Sequence, residues 1–173
     1  MNKHNFAPTI LRAYDIRGIY QDTLTEADAH AIGMAFIATL RQRGHGVTVA
    51  VGRDGRLSSP ALAAALIDGL VQAGGEVRDI GCGPTPMLYF AGVTWQCDGA
   101  IQVTGSHNPP THNGFKMVMN GKSFSGDDIQ QLGQISAAGV ANGDGGKVTE
   151  TATFDDYVNR LLQQAHAGDF SIV

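Results

Sequence analysis

Hydrophobic and polar positions alternate in blocks along the chain, and glycine closes most of them. Thr25-Glu-Ala-Asp28 has the form of a capping box, and Ala31, Met34, Ala35, Ile37 and Leu40 follow at helical spacing. That helix is predicted to stop at Gly44-His-Gly46. Residues 47–51 form a short apolar run ending at Gly52, the pattern of a strand buried on both faces. Ser59 is placed to cap a second helix, with Pro60 in its first turn, Leu62, Leu66, Leu70 and Val71 on one face, and Gly74-Gly75 as its end.

The alternation continues with a strand at residues 76–80, then a helix opened by Pro84-Thr-Pro86 and running through Trp95. Residues 99–104 read as a third strand that leads directly into a polar loop at 105–113. Residues 115–119 alternate and read as a strand returning from that loop. Ser125-Gly-Asp-Asp128 resembles the cap of another helix reaching about Ala138, residues 137–146 are the best candidate for a linker, and an amphipathic helix is predicted from Thr153 to about His166. The β-α-β-α-β order predicts an α/β fold with a mainly parallel sheet and helices on both faces. In such a sheet the functional loops leave the carboxyl ends of the strands, here residues 52–56, 81–86 and 105–113.

The 173 residues, 43% of them hydrophobic and 16% charged, suit one α/β domain with its own core and exclude wholesale disorder. A net charge of −4 gives the chain no footprint for a nucleic-acid backbone. The longest apolar stretch, residues 30–40, is too short to span a bilayer, and the first eight residues lack the apolar core of a signal peptide. The expectation is a cytoplasmic chain without nucleic-acid or membrane partners. Cys82 and Cys97 fit neither a redox pair nor a zinc set and are expected to pack in the core.

The densest chemistry lies in Thr104-Gly-Ser-His-Asn-Pro-Pro110 followed by Asn113-Gly-Phe-Lys116. Gly105 permits close approach of a ligand, Ser106 offers a hydroxyl, His107 and Asn108 add polar side chains, and the two prolines stiffen the loop. A solvated turn has similar composition; position after a buried strand, with Lys116 ten residues on, favours function. Familiar alternatives fail on spacing. A nucleophile elbow needs glycine where Asn108 stands, a P-loop ending at Gly121-Lys-Ser123 needs glycine where Lys116 stands, and a dinucleotide fingerprint beginning at Gly81-Cys-Gly83 meets Pro86 in its last glycine slot. Arg17, in Arg12-Ala-Tyr-Asp-Ile-Arg-Gly18, is a planar donor suited to phosphate; alone, it reads more readily as a surface arginine paired with Asp15.

Taken together, Ala13-Tyr-Asp-Ile-Arg-Gly18, Gly52-Arg-Asp-Gly-Arg56, the stretch ending Pro84-Thr-Pro86, and the Ser106 loop with Asn113-Gly-Phe-Lys116 resemble the first domain of the α-D-phosphohexomutases, in the bacterial phosphomannomutase/phosphoglucomutase branch. The resemblance covers essentially the whole chain. It implies a three-layer α/β/α sandwich with a four-stranded mixed, mainly parallel sheet over residues 1–140, and a linker and C-terminal helix over 141–173 leading towards a second domain. It implies that Ser106 carries a transferable phosphoryl group, through which Ser106 also contacts a metal. Lys116 becomes the general acid/base near the sugar hydroxyl, His107 and Asn108 shape the loop, and Tyr14 and Arg17 line the site, with Arg17 steadying phosphate.

The implied reaction interconverts mannose or glucose 6-phosphate with the 1-phosphate through a 1,6-bisphosphate, with Mg²⁺ as cofactor and glucose 1,6-bisphosphate as activator. Hexose phosphates and the enzyme's remaining domains are the implied partners. The family's aspartate-rich metal loop, sugar-selecting loop and C-terminal phosphate loop have no counterpart in these residues, so the chain is expected to fold alone without catalysing. Thr111-His112 stands where relatives often have Asp-Tyr. A phosphoglucosamine mutase is disfavoured, because that branch resembles Phe-Gly-Thr-Asp-Gly where this chain has Ala13-Tyr-Asp-Ile-Arg17. A non-catalytic phosphosugar- or protein-binding module is the reading from another class.

Overall fold

The computed structural model describes residues 1–164. Strand β1 (Ile16–Ile19) precedes helix α1 (Glu26–Gln42), and two β-α units follow: β2 (Thr48–Arg53) with α2 (Ser59–Gln72), and β3 (Glu76–Cys82) with α3 (Thr85–Thr94). β4 (Gly99–Val103), β5 (His112–Met119), β6 (Lys122–Ser123), α4 (Asp127–Ala138), β7 (Lys147–Glu150) and α5 (Phe154–Gln164) complete the order. α1 begins at the predicted capping box: the Asp28 carboxylate accepts the Thr25 N–H at 2.8 Å, and the Thr25 hydroxyl accepts the Asp28 N–H at 3.4 Å.

One mixed sheet runs β1-β5-β4-β2-β3-β7, with β6 paired to β5. β2 is parallel to β3 and β4, β7 is parallel to β3, and β5 is antiparallel to β4 and β1. β4 is buried along its whole length, as a central strand covered on both faces must be. Val49, Val51, Ile101, Val103 and Phe115 join the larger core under α1, α2 and α4, while Ala50 and Ala100 face the smaller core built by Leu88 and Ala91 of α3. The three-layer α/β/α class holds. α1 and α2 pack closely enough that a Cβ on Gly69 would overlap the His30 carbonyl, which is why glycine stands there.

Among the described residues the sheet has seven strands rather than four. β1 is too short to show alternation, and β7 is exposed along its whole length, so neither leaves a hydrophobic pattern. Of residues 137–146, read as a linker, the first two end α4 and the rest are stitched to the body: the Val140 N–H donates to Asn2 O at 2.9 Å and the Gly143 N–H to Gln72 O at 2.9 Å. The last helix is observed to Gln164, and His166 lies outside the described residues.

Three local expectations are corrected. Ser59 does not cap α2 but is its first residue, and its hydroxyl donates to Asp54 instead. Gly126 occupies the cap position of α4, where Ser125 contributes only a backbone carbonyl to the Asp128 N–H at 3.2 Å. Cys82 is exposed at the end of β3, where the chain leaves the sheet, rather than packed in the core. Cys97 is half-buried, and that burial pushes its thiol pKa up.

Candidate active site

Because β2 and β4 are neighbours, with Arg53 opposite Val103, the residues that follow each strand meet at one edge of the sheet. Asp54 is the centre of that meeting. One carboxylate oxygen accepts the Ser59 hydroxyl at 2.5 Å and the Arg56 N–H at 3.1 Å. The other accepts the Thr104 hydroxyl at 2.9 Å, the Gly105 N–H at 3.1 Å and the Arg56 Nε–H at 3.2 Å. Partial burial raises the carboxyl pKa, but the bonds from Ser59, the Arg56 N–H, Thr104 and the Gly105 N–H outweigh it and hold Asp54 below its ordinary value.

Arg56 then reaches into the polar loop. Its Nη1 donates to Pro109 O at 2.7 Å and His112 O at 3.0 Å, and its Nη2 donates to Asn108 O at 2.7 Å and Ser106 O at 2.9 Å. A Cβ on Gly105 would overlap this guanidinium, so only glycine lets the loop close over it. The third loop joins the frame through Gln102, whose amide donates to Gly83 O at 3.0 Å.

Ser106 stands exposed at the head of the loop with φ of 53°, a left-handed conformation uncommon for a residue with a side chain. Its N–H donates to the Thr104 hydroxyl at 2.9 Å, and its own hydroxyl lies 3.3 Å from His107 Nδ1. Asn108 closes the turn from below, donating both its backbone N–H and its side-chain amide to Gly105 O, at 3.0 and 3.2 Å.

Arg17 reaches the same loop from β1, where it pairs with Gly114 of β5. Only 6% exposed, it is no surface arginine: Nη2 binds the Asp15 carboxylate, Nη1 donates to Gly105 O at 3.4 Å, and Nε is buried without a partner among the described residues. Lys116 lies on β5 opposite Gln102 and projects, like Val118, away from the larger core; it forms no ion pair or hydrogen bond among the described residues. Tyr14 is 85% exposed and likewise makes no hydrogen bond to the loop. The structure therefore gathers Ser106, His107, Asn108 and Arg17, and leaves Tyr14 and Lys116 unengaged.

Asp54, Arg56, Thr104 and Asn113 lie within the motifs read from the sequence, yet none of them is among its candidate site residues. Asn113 is wholly buried and donates to the hydroxyls of Ser58 and Ser59, at 2.8 and 2.9 Å, locking the start of α2 to the loop. The available signal was the charged Gly52-Arg-Asp-Gly-Arg56 run after a buried strand.

A Mg²⁺ ion favours a near-octahedral shell of oxygens. Among the described residues no group of three or more His, Cys, Asp or Glu side chains is placed to hold a metal, and Asp54 already accepts five hydrogen bonds. These residues do not fit a Mg²⁺ site of their own. Among the described residues no helix is long and apolar enough to cross a membrane.

Residues 8–142 match the family described as phosphoglucomutase/phosphomannomutase, alpha/beta/alpha domain I. The phosphomannomutase/phosphoglucomutase of Pseudomonas aeruginosa is 49% identical over 130 residues, covering 73% of this chain and 28% of that protein. The phosphoglucomutase of Neisseria meningitidis is 42% identical over 161 residues, covering 91% of this chain and 35% of that one. Among solved structures, a phosphoglucomutase/phosphomannomutase family protein from Burkholderia thailandensis superposes with a TM-score of 0.84 at 43% identity, over 91% of this chain and 36% of the other. The chain thus spans about a third of the length of these relatives. With the match running through both the Arg17 strand and the Ser106 loop, the chain belongs to the phosphoglucomutase/phosphomannomutase family and corresponds to its first α/β/α domain.

Proposed function

We propose that this chain is the domain of a phosphohexomutase that carries the phosphoryl group, on Ser106. One observation supports the reading above the others: an exposed serine hydroxyl sits at the head of a loop, on a residue held in a left-handed conformation by a partly buried frame. Backbone strain of about 1–3 kcal/mol persists only where the surroundings over-determine it, and such positions cluster at functional sites.

In the proposed cycle, phosphorylated Ser106 meets a hexose 1- or 6-phosphate of the mannose or glucose type. The Oγ–P bond breaks as a P–O bond forms to the free sugar hydroxyl; the proton that hydroxyl loses balances the one Ser106 regains. Lys116 is assigned the proton exchange at the sugar, His107 lies against Ser106 Oγ, and Asn108 keeps the turn closed. Arg17 steadies phosphate, and Tyr14 borders the sugar. The resulting 1,6-bisphosphate returns its other phosphoryl to Ser106. Glucose 1,6-bisphosphate, as activator, loads the serine from outside the cycle.

Transfers of this kind depend on positioning and charge neutralisation. Any Mg²⁺ the reaction uses needs donors beyond this chain, and so does the clamp on the far phosphate, so the chain alone is expected to fold without turnover. The test is a chimera in which this chain replaces the matching segment of the Pseudomonas aeruginosa relative, assayed for glucose 1-phosphate to 6-phosphate conversion with Mg²⁺ and glucose 1,6-bisphosphate. Turnover with phosphate mapped to Ser106, both lost in Ser106→Ala, is the expected result. A cooperatively melting chimera that carries phosphate on Thr104 or Ser123, or none while staying inactive, overturns the assignment and leaves a binding module.

A further inference from the structure

A guanidinium carries five N–H donors in a rigid planar fork. In Arg56 every one is engaged: Nε on Asp54, and the two terminal nitrogens on the carbonyls of Ser106, Asn108, Pro109 and His112. Four carbonyls from a seven-residue span turned onto one cation define where the loop closes. They also leave that cation no donor for a phosphate. The Ser106 carbonyl is held by Arg56 and its N–H by Thr104, whose hydroxyl is itself fixed on Asp54, so both backbone groups of Ser106 are tied to one ion pair.

We propose that Arg56 is the positioning residue of the Ser106 loop, holding Ser106 in its left-handed conformation by gathering those four carbonyls and taking no part in phosphate or sugar binding. Its role in turnover rests on the reading of Ser106 as the phosphoryl carrier; its role in loop geometry does not. Lysine has three donors and no planar fork, so it can keep the ion pair with Asp54 yet cannot span the four carbonyls.

Two measurements separate the parts. On the isotopically labelled chain, NMR reads the Ser106 backbone directly: a strong intraresidue NOE between the amide and α protons reports the left-handed conformation, and the amide order parameter reports rigidity. Arg56→Met and Arg56→Lys are both expected to weaken the NOE and to lower the loop order parameters from about 0.85 to below about 0.6, with core amides unmoved. In the chimera both variants are expected to lower kcat by roughly 100-fold, the cost of a small misplacement, while KM for glucose 1-phosphate changes less than about threefold.

An ordered, left-handed Ser106 in Arg56→Lys, or a raised KM with kcat unchanged, overturns the proposal. If Arg56→Met does not fold, Arg56→Lys decides, because it retains the pair with Asp54. Should the wild-type chimera take no phosphate on Ser106 while the loop still disorders in the variants, the mutase reading falls and the positioning role stands.

Discussion

Two arginines reach the loop that presents Ser106, and they differ in how fully the protein satisfies them. Arg56, on the β2–α2 turn, has all five donors engaged by Asp54 and by backbone carbonyls. Arg17, on β1 and more deeply buried, holds Asp15, touches Gly105 O at 3.4 Å and keeps a buried Nε–H with no acceptor among the described residues. A buried donor left unpaired costs about 1–3 kcal/mol. That the cost falls on one arginine and not on its neighbour separates two tasks, framing the loop and receiving an anion. Lys116 extends the series, since it has no protein partner at all among the described residues. Effects on turnover should therefore rise from Arg17 to Lys116 as donors become freer, while effects on the fold run the other way.

The largest effect in that series is expected at Lys116. Lys116→Met removes a cation and a proton carrier without taking a partner from any other group, so kcat of the chimera should fall by roughly 10²–10⁴-fold. Its melting should stay within about 0.5 kcal/mol of the parent chimera, as for a substitution that breaks no native contact. Wild-type kinetics in this variant would remove Lys116 from the site.

Arg17→Lys comes next. It keeps the positive charge beside Asp15 but gives up the planar fork, and the loss of one charge-assisted hydrogen bond of about 1.5–3 kcal/mol predicts a fall in kcat of roughly 10- to 150-fold with the fold retained. Circular dichroism melts beside steady-state kinetics check both halves. If the variant unfolds instead, Arg17 belongs with Arg56 as frame and the contrast between them fails.

How much of this could be read from the sequence differs from element to element, and the reason is geometric. α1 was legible because its start is coded locally in Thr25 and Asp28, and the strands at β2 and β4 were legible because a strand covered on both faces must be a continuous apolar run. β1 was not, since its Arg17 is buried beneath the Ser106 loop, with a long-range contact to Gly105 that no period announces. β7 hides for the opposite reason: all four of its residues are exposed, and only backbone pairing with β3 makes it a strand. The Ser106 loop stood out by composition. Its frame did not, because the meaning of Asp54 and Arg56 depends on β2 lying beside β4, which is a fact of topology rather than of spacing.

The Asp54 carboxylate sharpens the comparison through pH. Its pKa is lower in the folded chain than the ordinary value of 3.8, so its contribution to stability is complete above that value and is lost as pH falls through the folded-state pKa. Acidification below about pH 4 should loosen the Ser106 loop and lower the melting temperature of the wild type more than that of Asp54→Asn, which has no charge to lose. At neutral pH Asp54→Asn should cost about 1.5–3 kcal/mol, since charge-assisted bonds to five donors become bonds to a neutral amide that accepts at one atom only. Parallel acid melts that kept the same offset between the two proteins would show that the charge of Asp54 is not what ties the frame together.

The smallest expected effect tests the contrast most directly, because it changes no residue. The Nε–H groups of the two arginines give separate signals in a nitrogen–proton correlation spectrum. Arg56 Nε–H is bonded to Asp54 at 3.2 Å, whereas Arg17 Nε–H is buried and unbonded, so the Arg17 signal should lie closer to that of a free guanidinium donor. When Ser106 acquires a phosphoryl group, about 1.5–2 negative charges and three strong acceptor oxygens appear at the head of the loop. Arg17, with an unengaged donor, can respond by turning its fork towards them, and its Nε–H resonance should move downfield. Arg56 has nothing left to donate and should stay where it is. A shift at Arg56 with none at Arg17 would reverse the two roles, making the saturated arginine the phosphate's partner and the buried one the frame.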